Sequence, residues 1–156
     1  IMVGRLDDWL KHVVARDGIF IDPSALEWAG IAAMKRAYQI FQERGYRARV
    51  LAAAFRNVNQ WAEFVGGDVV VSPPFKWQKI IADSGYTARE RIADPVDPHY
   101  IAELERIPDF VRAYEPDGMT VEEFEEFGPT RKTLRQFLAA DADLDALVRD
   151  IIVPAP

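Results

Sequence analysis

The chain contains no cysteine and only two histidines among its 156 residues. Without cysteine it can form no disulfide, no thiolate nucleophile and no thiolate metal site, and two isolated histidines do not make a zinc site. No apolar run approaches the roughly 18 residues that span a bilayer, and no signal-peptide pattern stands at the start. We therefore expect a soluble cytoplasmic protein that binds neither a metal nor a membrane.

Basic side chains are also in the minority, with 19 lysines and arginines against 25 acids and a net charge of −6. That balance argues against a general affinity for nucleic acid. The charge is uneven, since residues 1–60 carry nine basic and six acidic side chains, whereas residues 115–127 carry six acids and no base. The basic early part suits an anionic substrate, and the acidic segment is typical of a solvated surface.

What is present is an alternation of helical patterns and short apolar runs as far as Ile81. Continuous apolar runs such as Val50 to Ala53 are typical of parallel strands covered on both faces. The alternation predicts βα units and a parallel sheet, either open or closed into a barrel. The predicted elements are a strand ending near Arg5, helices at 7–16 and 22–45, a strand at 47–55, a short helix at 57–65 and a strand at 68–72.

Strand signals fade after Ile81, and prolines divide the rest of the chain into short helical pieces. Thr120 and Glu123 have the spacing of a capping box, in which each side chain satisfies the other residue's backbone N–H. No internal repeat or low-complexity tract is present. The predicted helices of this tail are 101–107, 120–127, 130–140 and 144–151.

Arg5 and Arg56 are the residues on which a functional hypothesis rests. Each follows a run of apolar or small residues, where a buried strand would end, and α/β proteins bind ligands at that end of a parallel sheet. A guanidinium is planar and donates two parallel hydrogen bonds to a phosphate. Two such groups at neighbouring strand ends predict a phosphate clamp. The alternative is that each is a surface arginine paired with a carboxylate such as Asp7 or Asp8.

Other polar residues give weaker signals. Lys76 follows the third predicted strand and could form a Schiff base if it were buried near other cations, although a solvated helix lysine is the favoured interpretation. Asp7 and Asp8 could transfer protons, but adjacent acids at a helix start are more often caps. We assign no role to His12 or His99.

Several motifs, taken in this order and at these separations, resemble the second half of a transaldolase, from the sixth barrel strand to the end. The residues 108–110, 124–129 and 133–137 resemble the helical end of a transaldolase-like branch. The motifs of the α/β portion are Val3-Gly4-Arg5-Leu6-Asp7-Asp8-Trp9, Asp22-Pro23, Ala53-Ala54-Phe55-Arg56-Asn57, Gly66-Gly67-Asp68 and Val71-Ser72-Pro73-Pro74.

The resemblance implies an α/β fold in which residues 1–82 form the last three βα units of a TIM (β/α)8 barrel and residues 83–156 form a helical extension packed on it. Transaldolases move a dihydroxyacetone unit between sugar phosphates through a lysine Schiff base, without metal or cofactor. The resemblance makes Arg5 and Arg56 ligands of the substrate phosphate.

Four further residues come to the substrate pocket through the same resemblance. Gly4, Ala54 and Asn57 lie beside the phosphate, and Met2 lies near the sugar chain. The family commonly has a serine where Ala54 stands and often an aromatic residue where Met2 stands. We therefore expect the arginines to carry the binding, while the identity of the sugar phosphate stays open.

The Schiff-base lysine of this family lies on the fourth strand, which precedes anything in this sequence. Because Ile1 stands inside a predicted strand, we expect the chain to be the back part of a larger protein and to be inactive without its amino-terminal half. Transfer and simple aldol cleavage both stay open, as does assembly into a homo-oligomer. An alternative function is a non-catalytic phosphate-binding or interaction module.

Overall fold

The computed structural model describes residues 1–154, which are mostly helical with a small parallel sheet. The chain forms two compact units, Ile1–Gly118 and Met119–Pro156. A turn of 3-10 helix at Pro23–Glu27 precedes the second α-helix. The other elements are α1 Val3–Asp17, α2 Ala29–Glu43, β1 Val50–Ala53, α3 Asn59–Ala62, β2 Val69–Ser72, α4 Phe75–Asp83, α5 Pro98–Leu104, α6 Pro108–Tyr114, α7 Val121–Glu126 and α8 Gly128–Ile152.

The sheet pairs β1 with β2 in parallel, with Val50 opposite Val69. The first residues of the chain extend this pairing, because Met2 forms a parallel bridge with Ala53. The carbonyl of Ile1 accepts a hydrogen bond from the amide of Ala53 at 2.9 Å. The chain therefore brings three segments side by side in the order in which they occur in the sequence.

The transition from the first segment to α1 is more abrupt than the sequence predicts. The helix was expected from Asp7 but begins at Val3, so Arg5 lies in its first turn rather than in a loop. The carbonyl of Met2 accepts the amides of Arg5 and Leu6 at 3.0 and 3.4 Å. The helical hydrogen bonds thus start at the last paired residue, and no connecting loop remains.

One face of the sheet belongs to the main core. Val50 and Ala52 of β1 are buried in a cluster with Val3, Ile31 and Met34 from the first two helices. Leu51 points to the opposite face and is 42% exposed. Within residues 1–154 the expectation that β1 is covered on both faces is therefore wrong, since Leu51 remains exposed.

The helix predicted from Asp22 is confirmed, with a tighter first turn. The Asp22 carboxylate accepts the amide of Ser24, and Pro23 occupies the first helical position, where its missing N–H costs nothing. Gly30 then lies in the first turn of α2, where an added Cβ would collide with the carbonyl of Val3. Helices α1 and α2 therefore cross in backbone contact.

Helices α5 and α6 belong to the same compact unit as the sheet, and the sequence did not predict α6. The indole N–H of Trp9 donates to Asp109 at 2.6 Å, and the amide of Asp22 donates to Glu103 at 2.8 Å. These bonds tie the segment after residue 82 to α1 and to the 3-10 turn. The division of the chain at residue 82 into barrel and extension stays a prediction.

The second unit consists of α7 and α8. The capping box of Thr120 and Glu123 at the start of α7 is confirmed in both directions. The two helices predicted at 130–140 and 144–151 are wrong, because Gly128–Ile152 is one continuous helix. No proline or glycine interrupts the segment between them. Eight large apolar side chains of α8 are 45% to 72% exposed: Leu134, Phe137, Leu138, Leu144, Leu147, Val148, Ile151 and Ile152.

Candidate functional site

Arg5 and Arg56, the two arginines of the predicted clamp, follow two residues that pair with each other in the sheet. Met2 pairs with Ala53, and Arg5 and Arg56 each lie three residues further on. A Cβ added to Gly4 would collide with the carbonyl oxygen of Ala54 and with Cγ of Arg56. The stem of the Arg56 side chain therefore lies against the residue that precedes Arg5, which places the two arginines at one edge of the sheet.

The guanidinium of Arg56 has several partners within the chain. Its Nε and Nη2 atoms lie 2.9 and 2.8 Å from one carboxylate oxygen of Asp8, and the side chain is 39% exposed. Nη1 donates to the carbonyls of Ala54 and Phe55 at 3.0 and 3.1 Å. The carboxylate partner considered in the alternative interpretation is thus Asp8, and a bound phosphate must share the guanidinium with it or replace it.

The other residues assigned to the pocket adopt distinct local structures. Ala54 has a φ of 61°, a left-handed conformation that an alanine seldom adopts. Asn57 accepts the amide of Gln60 at 2.9 Å, so its side chain caps the start of α3. Met2 is half-exposed at the edge of the sheet. Ala54 turns the chain sharply after β1 and so brings the side chain of Arg56 back over the strand end.

Asp7 is the buried acid of the site, with 1% of its surface exposed. One carboxylate oxygen accepts the amide of Gly30 at 2.8 Å, and the other accepts the side-chain amide of Gln60 at 2.6 Å. Burial raises the pKa of Asp7 from 3.8 to about 7, against the opposing effects of the Gly30 hydrogen bond and of Lys11. Asp7 therefore caps α2 and not its own helix, which is a correction to the sequence-based interpretation.

A second buried cluster, which the sequence analysis missed, surrounds Glu63. The ammonium of Lys35 donates to Glu63 at 2.6 Å and to the carbonyls of Arg91 and Asp94 at 2.8 Å each. The guanidinium of Arg91 also pairs with Glu63. The signal was available, because Lys35 stands at helical spacing between the apolar residues Ile31 and Tyr38.

Among the described residues, neither Lys35 nor Lys76 has the surroundings of a reactive Schiff-base lysine. Lys76 lies exposed in the first turn of α4, and the three donors of Lys35 are all engaged. Within residues 1–154, no group of three or more histidine, aspartate or glutamate side chains is placed to hold a metal ion. Nor does this described part contain a helix long and apolar enough to cross a membrane.

Comparison with known proteins gives a consistent result. The family model described as Transaldolase/Fructose-6-phosphate aldolase matches residues 1–127. A transaldolase of Nostoc punctiforme is 27% identical over 97% of this chain and 42% of its own length. One of Aliivibrio fischeri is 27% identical over 94% of this chain and 42% of its own length.

A third relative, a transaldolase of a Nostoc species, is 31% identical over 66% of this chain and 28% of its own length. The chain thus spans less than half the length of these curated relatives. No solved structure matches it. Because the family model covers most of the sequence, including both arginines at the strand ends, the chain belongs to the transaldolase/fructose-6-phosphate aldolase family.

Proposed function

We propose that this chain supplies the phosphate-binding part of a transaldolase-like enzyme, with Arg5 and Arg56 as the ligands of a sugar phosphate. The whole protein transfers a dihydroxyacetone unit from one sugar phosphate to another. The lysine that forms the Schiff base lies in an amino-terminal segment that accompanies this chain. Gly4, Ala54 and Asn57 shape the phosphate site, and Met2 lines the neighbouring pocket.

The observation that carries the proposal is the placement of the two arginines. Both follow the paired residues Met2 and Ala53 by three positions, and the Arg56 stem lies on Gly4. Guanidinium groups bind a phosphate dianion strongly because each hydrogen bond is assisted by charge. The carboxyl ends of parallel strands are also where barrel enzymes bind phosphate.

The partner of this chain in the proposal is the amino-terminal half of the same protein. The three parallel segments that pair here would be the sixth, seventh and eighth strands of a (β/α)8 barrel. The exposed side chain of Leu51 supports this assignment, because a barrel interior would bury it. Covering such apolar surface contributes about 25 cal/mol per Å².

Matched arginine variants test the site in the whole protein. Arg56 follows β1 and pairs with Asp8, whereas Arg49 precedes β1 and forms an exposed pair with Asp68 at 3.3 Å. We expect Arg56→Met to raise KM for a ketose phosphate by about 100-fold, the effect of losing charged hydrogen bonds. Arg49→Met should leave KM unchanged.

The same variants should be assayed with the unphosphorylated ketose. Because this sugar offers no phosphate, the difference between the Arg56 and Arg49 variants should disappear. A loss of similar size for both sugars would contradict the assignment of Arg56 to the phosphate.

The position of the reactive lysine can be tested by trapping the imine. Borohydride reduction in the presence of a ketose phosphate should label a lysine that precedes residue 1 of this chain. Labelling of Lys76, abolished by Lys76→Met, would instead support the interpretation in which Lys76 is the Schiff-base residue.

An interaction module is the second candidate, and it has one observation in its favour. The eight exposed apolar side chains recur along α8 at helical spacing, and apolar patches on a surface often mark interaction sites. If the chain acts in this way, Leu138→Asp should change its oligomeric state in sedimentation experiments. An oligomeric state that Leu138→Asp leaves unchanged would count against the second candidate.

A further inference from the structure

Gln60 connects a buried acid to the loop that carries Arg56. Its side chain is fully buried, and both ends of the amide are engaged. The NH2 group donates to Asp7 at 2.6 Å, and the oxygen accepts the main-chain N–H of Arg56 at 2.5 Å. One side chain therefore links α1 to the turn after β1.

The orientation of this amide depends on the ionisation of Asp7. The backbone N–H of Arg56 can only donate, so it requires the oxygen of Gln60. The NH2 group then faces Asp7, whose second oxygen already accepts the amide of Gly30 at 2.8 Å. An ionised carboxylate accepts both bonds. A protonated one carries a donor of its own, which the Gln60 oxygen could accept only by turning away from Arg56.

Taking as its basis the assignment of Arg56 to the phosphate site, we propose that Asp7 and Gln60 are positioning residues for Arg56. Ionised Asp7 holds the Gln60 amide in the orientation that binds the Arg56 main chain. The loop then keeps the guanidinium at the carboxyl end of β1. Neither residue touches the phosphate itself.

Asp7 is expected to change its charge near neutral pH, a range in which binding can be measured. The pKa of Asp7 is raised to about 7, mainly by burial and in smaller part by the charges of Asp8 and Glu27, against the lowering effects of the Gly30 hydrogen bond and of Lys11. The neighbours from α2 and α3 are uncharged donors, Gly30 and Gln60. We therefore expect Asp7 to change its charge near neutral pH, and the orientation of the Gln60 amide to change with it.

The proposal predicts a pH dependence of unusual sign. An extra carboxylate near an anion site repels the anion, so electrostatics alone would weaken binding as Asp7 ionises. Positioning has the opposite effect, because ionised Asp7 orders the arginine that binds. We expect the affinity for an anion to rise by about fivefold between pH 6 and pH 8, the size of one net hydrogen bond.

Sulfate is the appropriate probe, since it remains a dianion over this range, whereas phosphate changes charge near pH 6 to 7. The whole protein is titrated with sodium sulfate at several pH values, and Kd is measured by NMR. The Gly30 amide resonance reports the ionisation of Asp7 independently. A sulfate affinity that stays flat or falls while Gly30 titrates would overturn the proposal.

Two variants and a control sharpen the test. Asp7→Asn should abolish the pH dependence. Gln60→Glu should invert it, because the new carboxyl group can donate to Asp7 only while it is protonated. Glu27→Gln removes a nearby charge but no hydrogen bond to Asp7, so it should move the midpoint to lower pH and keep the fivefold change.

The two proposals can fail separately. If Arg56→Met binds sulfate as the wild type does, Arg56 is not an anion ligand and the proposed function is wrong at this site. If Arg56→Met abolishes binding while Asp7→Asn and Gln60→Glu keep the wild-type affinity at every pH, the positioning role alone is wrong.

Discussion

The two buried carboxylates next to α3 are a natural pair to compare. Asp7 meets only uncharged donors, the amide of Gly30 and the side chain of Gln60. Glu63, which directly follows α3, meets two cations, Lys35 and Arg91. Gln60 and Glu63 are three residues apart in the sequence. Two buried carboxylates thus meet near α3. Glu63 has cationic partners, whereas Asp7 of α1, bonded to Gln60 of α3, has only uncharged hydrogen-bond partners.

This difference separates a structural role from a functional one. A buried carboxylate with two cationic partners is stable in one state, and its removal leaves those cations without a counter-charge. A buried carboxylate with neutral partners pays for desolvation and changes its protonation near neutral pH. The Glu63 cluster thus links α2 to the segment 91–94 through Lys35. Asp7, by contrast, is expected to change its protonation state near neutral pH.

The largest effect is expected at the compensated site. Glu63→Gln removes the negative charge that compensates Lys35 and Arg91 and turns one acceptor oxygen into a donor, and we expect a loss of about 4 kcal/mol in the free energy of unfolding. Urea denaturation measures this loss. The control is Asp68→Asn, which breaks an exposed ion pair and should cost less than about 1 kcal/mol. Equal losses for the two variants would contradict the view that Glu63 stabilises the fold more than an exposed ion pair does.

Asp7 should make the free energy of unfolding depend on pH. The pKa of Asp7 is raised from 3.8 to about 7 in the folded chain, so its ionisation favours unfolding. Protonated Asp7 stabilises the fold, and this stabilisation is fully present below about pH 4 and is lost as the pH rises through about 7. Relative to Asp7→Asn, the wild type should therefore lose on the order of 3 kcal/mol between pH 4 and pH 8.

That difference is measured by urea denaturation of both proteins across the pH range. Taking the variant as reference removes the contributions of all other titrating groups. A constant difference from pH 4 to pH 8 would contradict the assignment of a raised pKa to Asp7.

The smallest effect concerns the turn that follows β1. Ala54 has a left-handed backbone at φ 61°, which glycine adopts without strain. Ala54→Gly should stabilise the fold by about 0.5–1 kcal/mol, net of the greater freedom of glycine in the unfolded chain. Thermal unfolding measures the gain. Ala53→Gly is the matched control, because Ala53 lies in β1, and it should destabilise instead.

Local signals explain what the sequence could predict. The helix start at Asp22, the strand at Val50–Ala53 and the capping box at Thr120 each depend on residues a few positions apart. The position of Arg5 and Arg56 beyond neighbouring paired residues also follows from local strand patterns. The two helices predicted at 130–140 and 144–151 are one helix, and no proline or glycine lies between them to end the first.

The chemistry of Asp7 could not be predicted in the same way. Its partners Gly30 and Gln60 lie 23 and 53 residues away, and only the folded chain brings them together. The early start of α1 depends likewise on the pairing of Met2 with Ala53. Lys35 is an intermediate case, since its spacing placed it on the buried face of α2, but its partners beyond residue 60 are distant.

The first turn of α1 has a consequence for how this region tolerates substitution. Gly4 faces the carbonyl of Ala54, and Gly30 faces the carbonyl of Val3. Both obstacles are main-chain atoms, which no second substitution can make smaller. In a library of all single variants, positions 4 and 30 should therefore be as intolerant as the hydrophobic core, although neither carries a side chain.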